Sequence, residues 1–121
     1  MTGRYLAVLA AVLAFAVPAH AQDKTLKVGA LATLEGVFAK NGEDSMRGVE
    51  VALKEYNNAA GGYKIELVKA SSDGKPDVAI RSARKLVEQD GVQMLVGPLS
   101  GSEGLAMKDF AKTKPEITFL N

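Results

Sequence analysis

The sequence predicts an α/β fold: an open parallel sheet with helices on both faces. Three observations carry this. Strand-like apolar runs and helix-like stripes alternate as strand-helix three times and end on a strand. The units recur at about 30 residues, the length a strand and its crossover helix need. The third candidate strand, residues 92–96 (VQMLV), is mostly apolar, as expected of a strand covered on both sides.

The elements follow in order. Residues 25–32 (TLKVGALA) alternate and then turn fully apolar, which reads as a first strand. Residues 33–40 form a loop, and Asn41 with Asp44 after it reads as a helix N-cap with an acid in the first turn. The first helix is predicted over 43–60. Met46, Val49, Leu53 and Tyr56 recur at spacings of three and four, and Glu50–Lys54 forms an i,i+4 pair. Gly48 inside this helix suggests a close approach to the sheet, and Gly61-Gly62 suggests its C-terminal stop.

Residues 63–70 (YKIELVKA) read as the second strand, and 71–75 as a turn. Pro76 suits a first helical position. The second helix follows over 77–90, with Ala79, Ala83, Leu86 and Val87 inward, and Gly91 closes it. After the third strand, residues 97–102 make a tight polar loop. A third helix begins near Ser102 or Glu103 and runs to about Thr113, with Leu105, Ala106 and Phe110 as its inner side. Residues 117–120 are the fourth strand. Nothing follows to cover it, so the chain is expected to be truncated after Asn121.

The first 21 residues have a separate logic. Arg4 gives a positive start, residues 5–17 are an unbroken apolar run, and Ala19-His20-Ala21 supplies the small-x-small cleavage pattern. This is the grammar of a secretory signal peptide cut after Ala21, and the run is too short to span a bilayer. The expected domains are therefore a signal over 1–21 and a partial lobe over 22–121.

Composition excludes several functions. The 121 residues carry 15 Lys plus Arg against 14 Asp plus Glu, with one His and no Cys. Without Cys there is no disulfide framework, thiol nucleophile or thiolate metal site. The single His, His20, leaves with the signal, and His-based acid–base catalysis leaves with it. A charge balance near zero argues against nucleic acid as a partner. Gly101 and Gly104 do not make a dinucleotide fingerprint, and the Gly29–Gly36 region lacks a phosphate-loop ending. No paired acids point to catalysis: Glu35 reads as solvated surface, and Arg81, Arg84 and Lys85 as a balanced helix face. No cofactor or metal is expected.

In open α/β sheets, ligands bind past the carboxyl ends of the strands. The loops after strand one and strand three qualify. Each leads into a helix N-terminus, whose free amides and dipole favour an anion such as a carboxylate. Ser100 and Ser102 offer hydroxyls there, and Gly101 permits close backbone approach. The serines either merely cap the helix or contact a ligand.

Five stretches in this order resemble one family: 26–30 (LKVGA), 42–50 (GEDSMRGVE), 57–62 (NNAAGG), 83–92 (ARKLVEQDGV) and 96–100 (VGPLS). Together they resemble the N-terminal part of periplasmic solute-binding proteins of the branched-chain amino acid (Leu/Ile/Val) ABC transporter type. The resemblance implies a Rossmann-like type I lobe, one of two that close over a small solute. It implies no catalysis, a location in the periplasm, and an inner-membrane permease as partner. It further implies that the loop over 97–102 holds a solute carboxylate through a serine hydroxyl and backbone amides. Gly101 stands where the family's serine usually does, with Ser100 and Ser102 beside it. Asn41 stands near a usually bulky cleft residue, with Phe38 just before. The expected ligand-binding residues are thus Ser100, Gly101, Ser102, Asn41 and Phe38. A ligand-sensing receptor domain of the same fold is the alternative.

Overall fold

The structure, a computed structural model, describes residues 24–121. The expected signal over 1–21 lies outside the described residues.

The central strand is β1 (Lys24–Thr33). It pairs in parallel along its whole length with the third strand in the chain, β3 (Tyr63–Ser72), in register from Lys24 opposite Tyr63 to Thr33 opposite Ser72. On its other edge it pairs in parallel with β4 (Met94–Val96), which pairs in turn with β5 (Thr118–Leu120). A two-residue strand, β2 (Ala59–Ala60), lies antiparallel on β3, so the sheet order is β2-β3-β1-β4-β5.

The helices α1 (Ala39–Glu55), α2 (Pro76–Glu88) and α3 (Gly101–Lys112) cover both faces. The period-two alternation of β1 sorts its side chains between them. Ala30 and Ala32 pack with Met46 of α1, flanked by Val49 and Leu67. Leu31 faces the other way, into a core of Ala79, Ala83 and Leu86 from α2, Met107 and Phe110 from α3, and Val92 and Leu95. Phe110 meets Phe119 edge to face at 5.9 Å. The predicted fold class, helices on both faces of an open and largely parallel sheet, is what the structure has. The antiparallel β2 is an addition.

Helix α2 matches its reading closely. Pro76 opens it, Ala79, Ala83 and Leu86 are buried, and Gly91 takes a positive φ of 70° just beyond it. Its charges pair locally, Arg81 with Asp77, Arg84 with Glu88 and Lys85 with Asp90, which makes the expected balanced surface.

Helix α1 departs from its reading at both ends. A 3-10 turn over Gly36–Phe38 leads into it, and it starts at Ala39, so Asn41 lies inside the first turn rather than capping it. The Asn41 carbonyl accepts the Ser45 hydroxyl at 2.9 Å. The helix stops at Glu55, because Asn57 and Asn58 turn to φ of 53° and 52°, a conformation asparagine tolerates. Gly61 and Gly62, with φ of 56° and 81°, are the two-residue hairpin turn between β2 and β3. Tyr56 falls beyond the helix and is 70% exposed, not in the core. Glu50 accepts Lys69 of β3 at 2.8 Å in place of the expected Lys54, and this hydrogen bond holds its carboxyl below the usual range.

Helix α3 starts at Gly101 with Ser100 as N-cap. Its inner stripe is Glu103, Met107 and Phe110, spaced i, i+4, i+7, while Leu105 is 71% exposed. Leu105 was expected inside; the structure leaves it in solvent and buries Glu103.

Candidate functional site

β1, β3 and β4 run parallel, so their carboxyl ends and following loops gather at one end of the sheet. The chain leaves β1 for β3 on one side and reaches β4 on the other, so the order reverses between β1 and β4. That reversal opens the crevice where such sheets bind ligands.

On one side of the crevice, β1 passes through the 3-10 turn into α1. Gly42 lets the helix backbone rest on the end of β1: a Cβ there would lie 1.9 Å from the Thr33 carbonyl oxygen. On the other side is the loop after β4. Gly97 has φ of 102°, its amide donates to the Leu120 carbonyl at 2.9 Å, and the Gly97–Pro98 peptide is cis.

The loop then enters α3 through a polar cluster. Ser100 Oγ accepts the Glu103 amide at 3.4 Å and donates to Glu103 Oε2 at 2.7 Å. Thr33 Oγ1 donates to the same carboxylate oxygen at 3.0 Å, and Ser72 Oγ donates to Thr33 Oγ1 at 3.4 Å. Glu103 is 0% exposed, and its Oε1 has no hydrogen-bond partner. Three strand ends are thereby joined by side chains: Thr33 closes β1, Ser72 closes β3, and Ser100 follows β4.

A hydroxyl has one proton to give. That of Ser100 goes to Glu103, so this serine has none for a solute. Ser102 is exposed; with the Ser100 proton on Glu103, its hydroxyl is the donor in a long 3.4 Å contact to Ser100 Oγ, which it can leave to donate to a solute. The first intrahelical bond of α3 runs from Gly104 N to the Ser100 carbonyl, which leaves the amides of Gly101 and Ser102 outside the helical ladder. Gly101 and Ser102 therefore present one hydroxyl and two amides at the positive end of a helix dipole.

The other predicted residues are not brought to this cluster. Phe38 is half exposed and lies beside Gly74 of the loop after β3, where a Cβ on Gly74 would be 3.8 Å from its ring. Asn41 is exposed in the first turn of α1. An apolar cavity of about 460 Å³ opens between α1 and the ends of β1, β4 and β5, lined by Met46, Val49, Pro98, Leu99 and Leu120 among others. None of the five predicted residues lines it. Its polar lining side chains are Ser45 and Asn121, so it suits apolar groups, and the hydrogen-bonding groups lie in the loops.

Sequence reasoning missed Thr33, Ser72 and Glu103. Ser100-x-x-Glu103 does have capping-box spacing, and that signal marks the helix start. Among the described residues no group of three or more His, Cys, Asp or Glu is placed to hold a metal ion.

Comparison with known proteins decides the family. The periplasmic binding protein family model matches residues 25–120. The chain belongs to that family. It is 34% identical over 105 residues to a Leu/Ile/Val-binding protein, BraC3, of Rhizobium johnstonii, covering 85% of this chain and 28% of that protein. Among solved structures it resembles an ABC transporter substrate-binding protein from Sphaerobacter thermophilus, with a TM-score of 0.72 and 32% identity over 79% of this chain and 26% of that one. It also resembles a solute-binding protein of an ABC transporter from R. palustris in complex with benzoate, with a TM-score of 0.72 and 28% identity over 79% of this chain and 27% of that one. The chain thus spans little more than a quarter of the length of these relatives.

Proposed function

We propose that this protein is the extracytoplasmic solute-binding component of an ABC importer. It takes an amino acid or a similar small carboxylate-bearing solute in a cleft between two lobes, the first of which contains the described residues. The observation that carries this reading is the Gly101–Ser102 opening of α3: free amides and a hydroxyl at a helix N-terminus, beside the crevice of a family member. A carboxylate there gains charge-assisted hydrogen bonds and the helix dipole. Closing a second lobe over it excludes water and strengthens both. The component carries out no catalysis itself. It is delivered to the periplasm by the signal over 1–21 and hands its solute to an inner-membrane permease. Phe38 and Asn41, exposed on the β1 side, are proposed to face the solute from across the crevice.

Names of relatives bracket the solute: a Leu/Ile/Val-binding protein on one side and a benzoate complex on the other. The test is a thermal-shift and calorimetric screen of protein expressed from the whole gene. The panel holds leucine, isoleucine, valine, benzoate and hydroxybenzoates. A saturable rise in midpoint is expected for at least one, worth about 2.7 kcal/mol at a hundred times Kd. A folded protein that answers to no small carboxylate sinks the reading.

Within that screen, Ser102→Ala is expected to weaken the solute found by about 2 kcal/mol, since a buried acceptor loses its donor. That is roughly 30-fold in Kd by titration. An unchanged affinity removes Ser102 from the site.

A further inference from the structure

Glu103 is a residue that neither composition nor family resemblance singles out, and its placement is costly. A carboxylate at 0% exposure has left water entirely, and one of its oxygens has no partner. Among the described residues no lysine or arginine pairs with it. A buried acid of this kind calls for an account of what retains it. A leucine at this point of the inner stripe would pack without that penalty, and Leu105, two residues on, is left in solvent.

We propose that Glu103 is a positioning residue for the solute-binding loop. Its carboxylate ties the loop after β4 to the ends of β1 and β3 through Ser100, Thr33 and Ser72, and it withholds the Ser100 hydroxyl from the solute. The two donors reach one oxygen from different elements: Ser100 from the loop at 2.7 Å and Thr33 from the sheet at 3.0 Å. The bond from Ser100 is the shorter of the two, so the loop is the more closely held partner. Thr33 is itself set by Ser72 and by the backbone of α1 lying on it at Gly42. The loop therefore takes its place from the rigid part of the fold, which is what a binding group needs if it is to be held in position before the solute arrives. The same bonds divide labour between the two serines. Ser100 is an internal strut, and Ser102 with the free amides is the surface offered to a ligand.

This inference rests on the proposed binding role of the loop, and the experiment separates the two. Protein expressed from the whole gene is followed by amide hydrogen exchange and by titration with two probes, leucine and benzoate. Glu103→Ala is expected to raise exchange at the hydrogen-bonded amides of residues 97, 103 and 104 at least tenfold, while residues 28–31 of β1 change less than twofold. Glu103→Gln keeps one acceptor and the shape, and it should hold the rise below about threefold. If Glu103→Ala does not fold, Thr33→Val, which removes one donor and keeps the shape, should raise exchange at the same three amides about threefold.

An unchanged loop in Glu103→Ala, or a loop and β1 that rise by the same factor, overturns the positioning role. So does a Glu103→Gln variant as loose as the alanine one. Exchange that follows the expected pattern in a protein that binds neither probe upholds the positioning role and counts against the solute class. Probe binding with a flat exchange profile upholds the solute class and rejects Glu103.

Discussion

Gly97→Ala should destabilise the fold by about 4 kcal/mol, combining backbone strain with overpacking. Two independent features of the position require glycine. Its φ of 102° is a conformation that L side chains rarely adopt. A Cβ built on it would lie 2.0 Å from the Leu31 carbonyl oxygen and 3.1 Å from the carbonyl carbon, and both atoms are backbone of the central strand. No rotamer change relieves a clash with backbone, so either β1 or the loop after β4 must move. Urea unfolding of protein expressed from the whole gene measures the loss.

The control lies four residues on. Gly101 has open space around its Cβ direction and no positive φ, so Gly101→Ala should change stability by no more than about 0.5 kcal/mol. Equal midpoints for wild type and Gly97→Ala would mean that the loop does not lie on β1 as described. Because Gly97 begins the segment that ends in Ser100 and Ser102, the same variant should also bind solute more weakly.

How much of this was legible in the sequence depends on how local the cause is. Helix α2 was readable because its start, stripe and stop are all local: Pro76, the Ala79–Ala83–Leu86 spacing and Gly91. The end of α1 was not. A Gly-Gly pair reads equally well as a helix stop or as a hairpin turn, and only the pairing of Ala60 with Tyr63 across the sheet selects the turn. With the helix ending five residues earlier than expected, Tyr56 left the stripe that spacing had assigned it.

The site divides in the same way. A polar Gly/Ser loop opening a helix after an apolar strand could be seen in residues 97–102, and the structure places that loop at the crevice. The network beneath it could not be seen. Thr33 and Glu103 are 70 residues apart, and no hydropathy pattern buries a glutamate until the threonine that meets it is known. That hidden partner is what takes the Ser100 hydroxyl.

Glycine in α1 makes a second large prediction, with opposite signs at two positions of one helix. Gly42→Ala should destabilise by about 3 kcal/mol, and Gly48→Ala should stabilise by about 1 kcal/mol. Spacing alone pointed to Gly48 as the close approach. The structure puts nothing within 4 Å of a Cβ there, so alanine simply regains the helix propensity that glycine lacks. At Gly42 the Cβ would meet Thr33 backbone at 1.9 Å from the oxygen and 2.6 Å from the carbon. The same propensity gain then offsets only part of the overpacking.

The two variants also differ in reach. Thr33 is the residue that anchors Glu103, so a helix pushed off Thr33 disturbs the tie to the loop after β4, whereas Gly48 touches nothing in it. Chemical denaturation gives the two signs. Amide exchange at residues 97, 103 and 104 should rise in Gly42→Ala and stay at the wild-type level in Gly48→Ala. If both variants shift stability the same way, α1 does not sit on β1 at Gly42, and the route from that helix to the loop after β4 is lost with it.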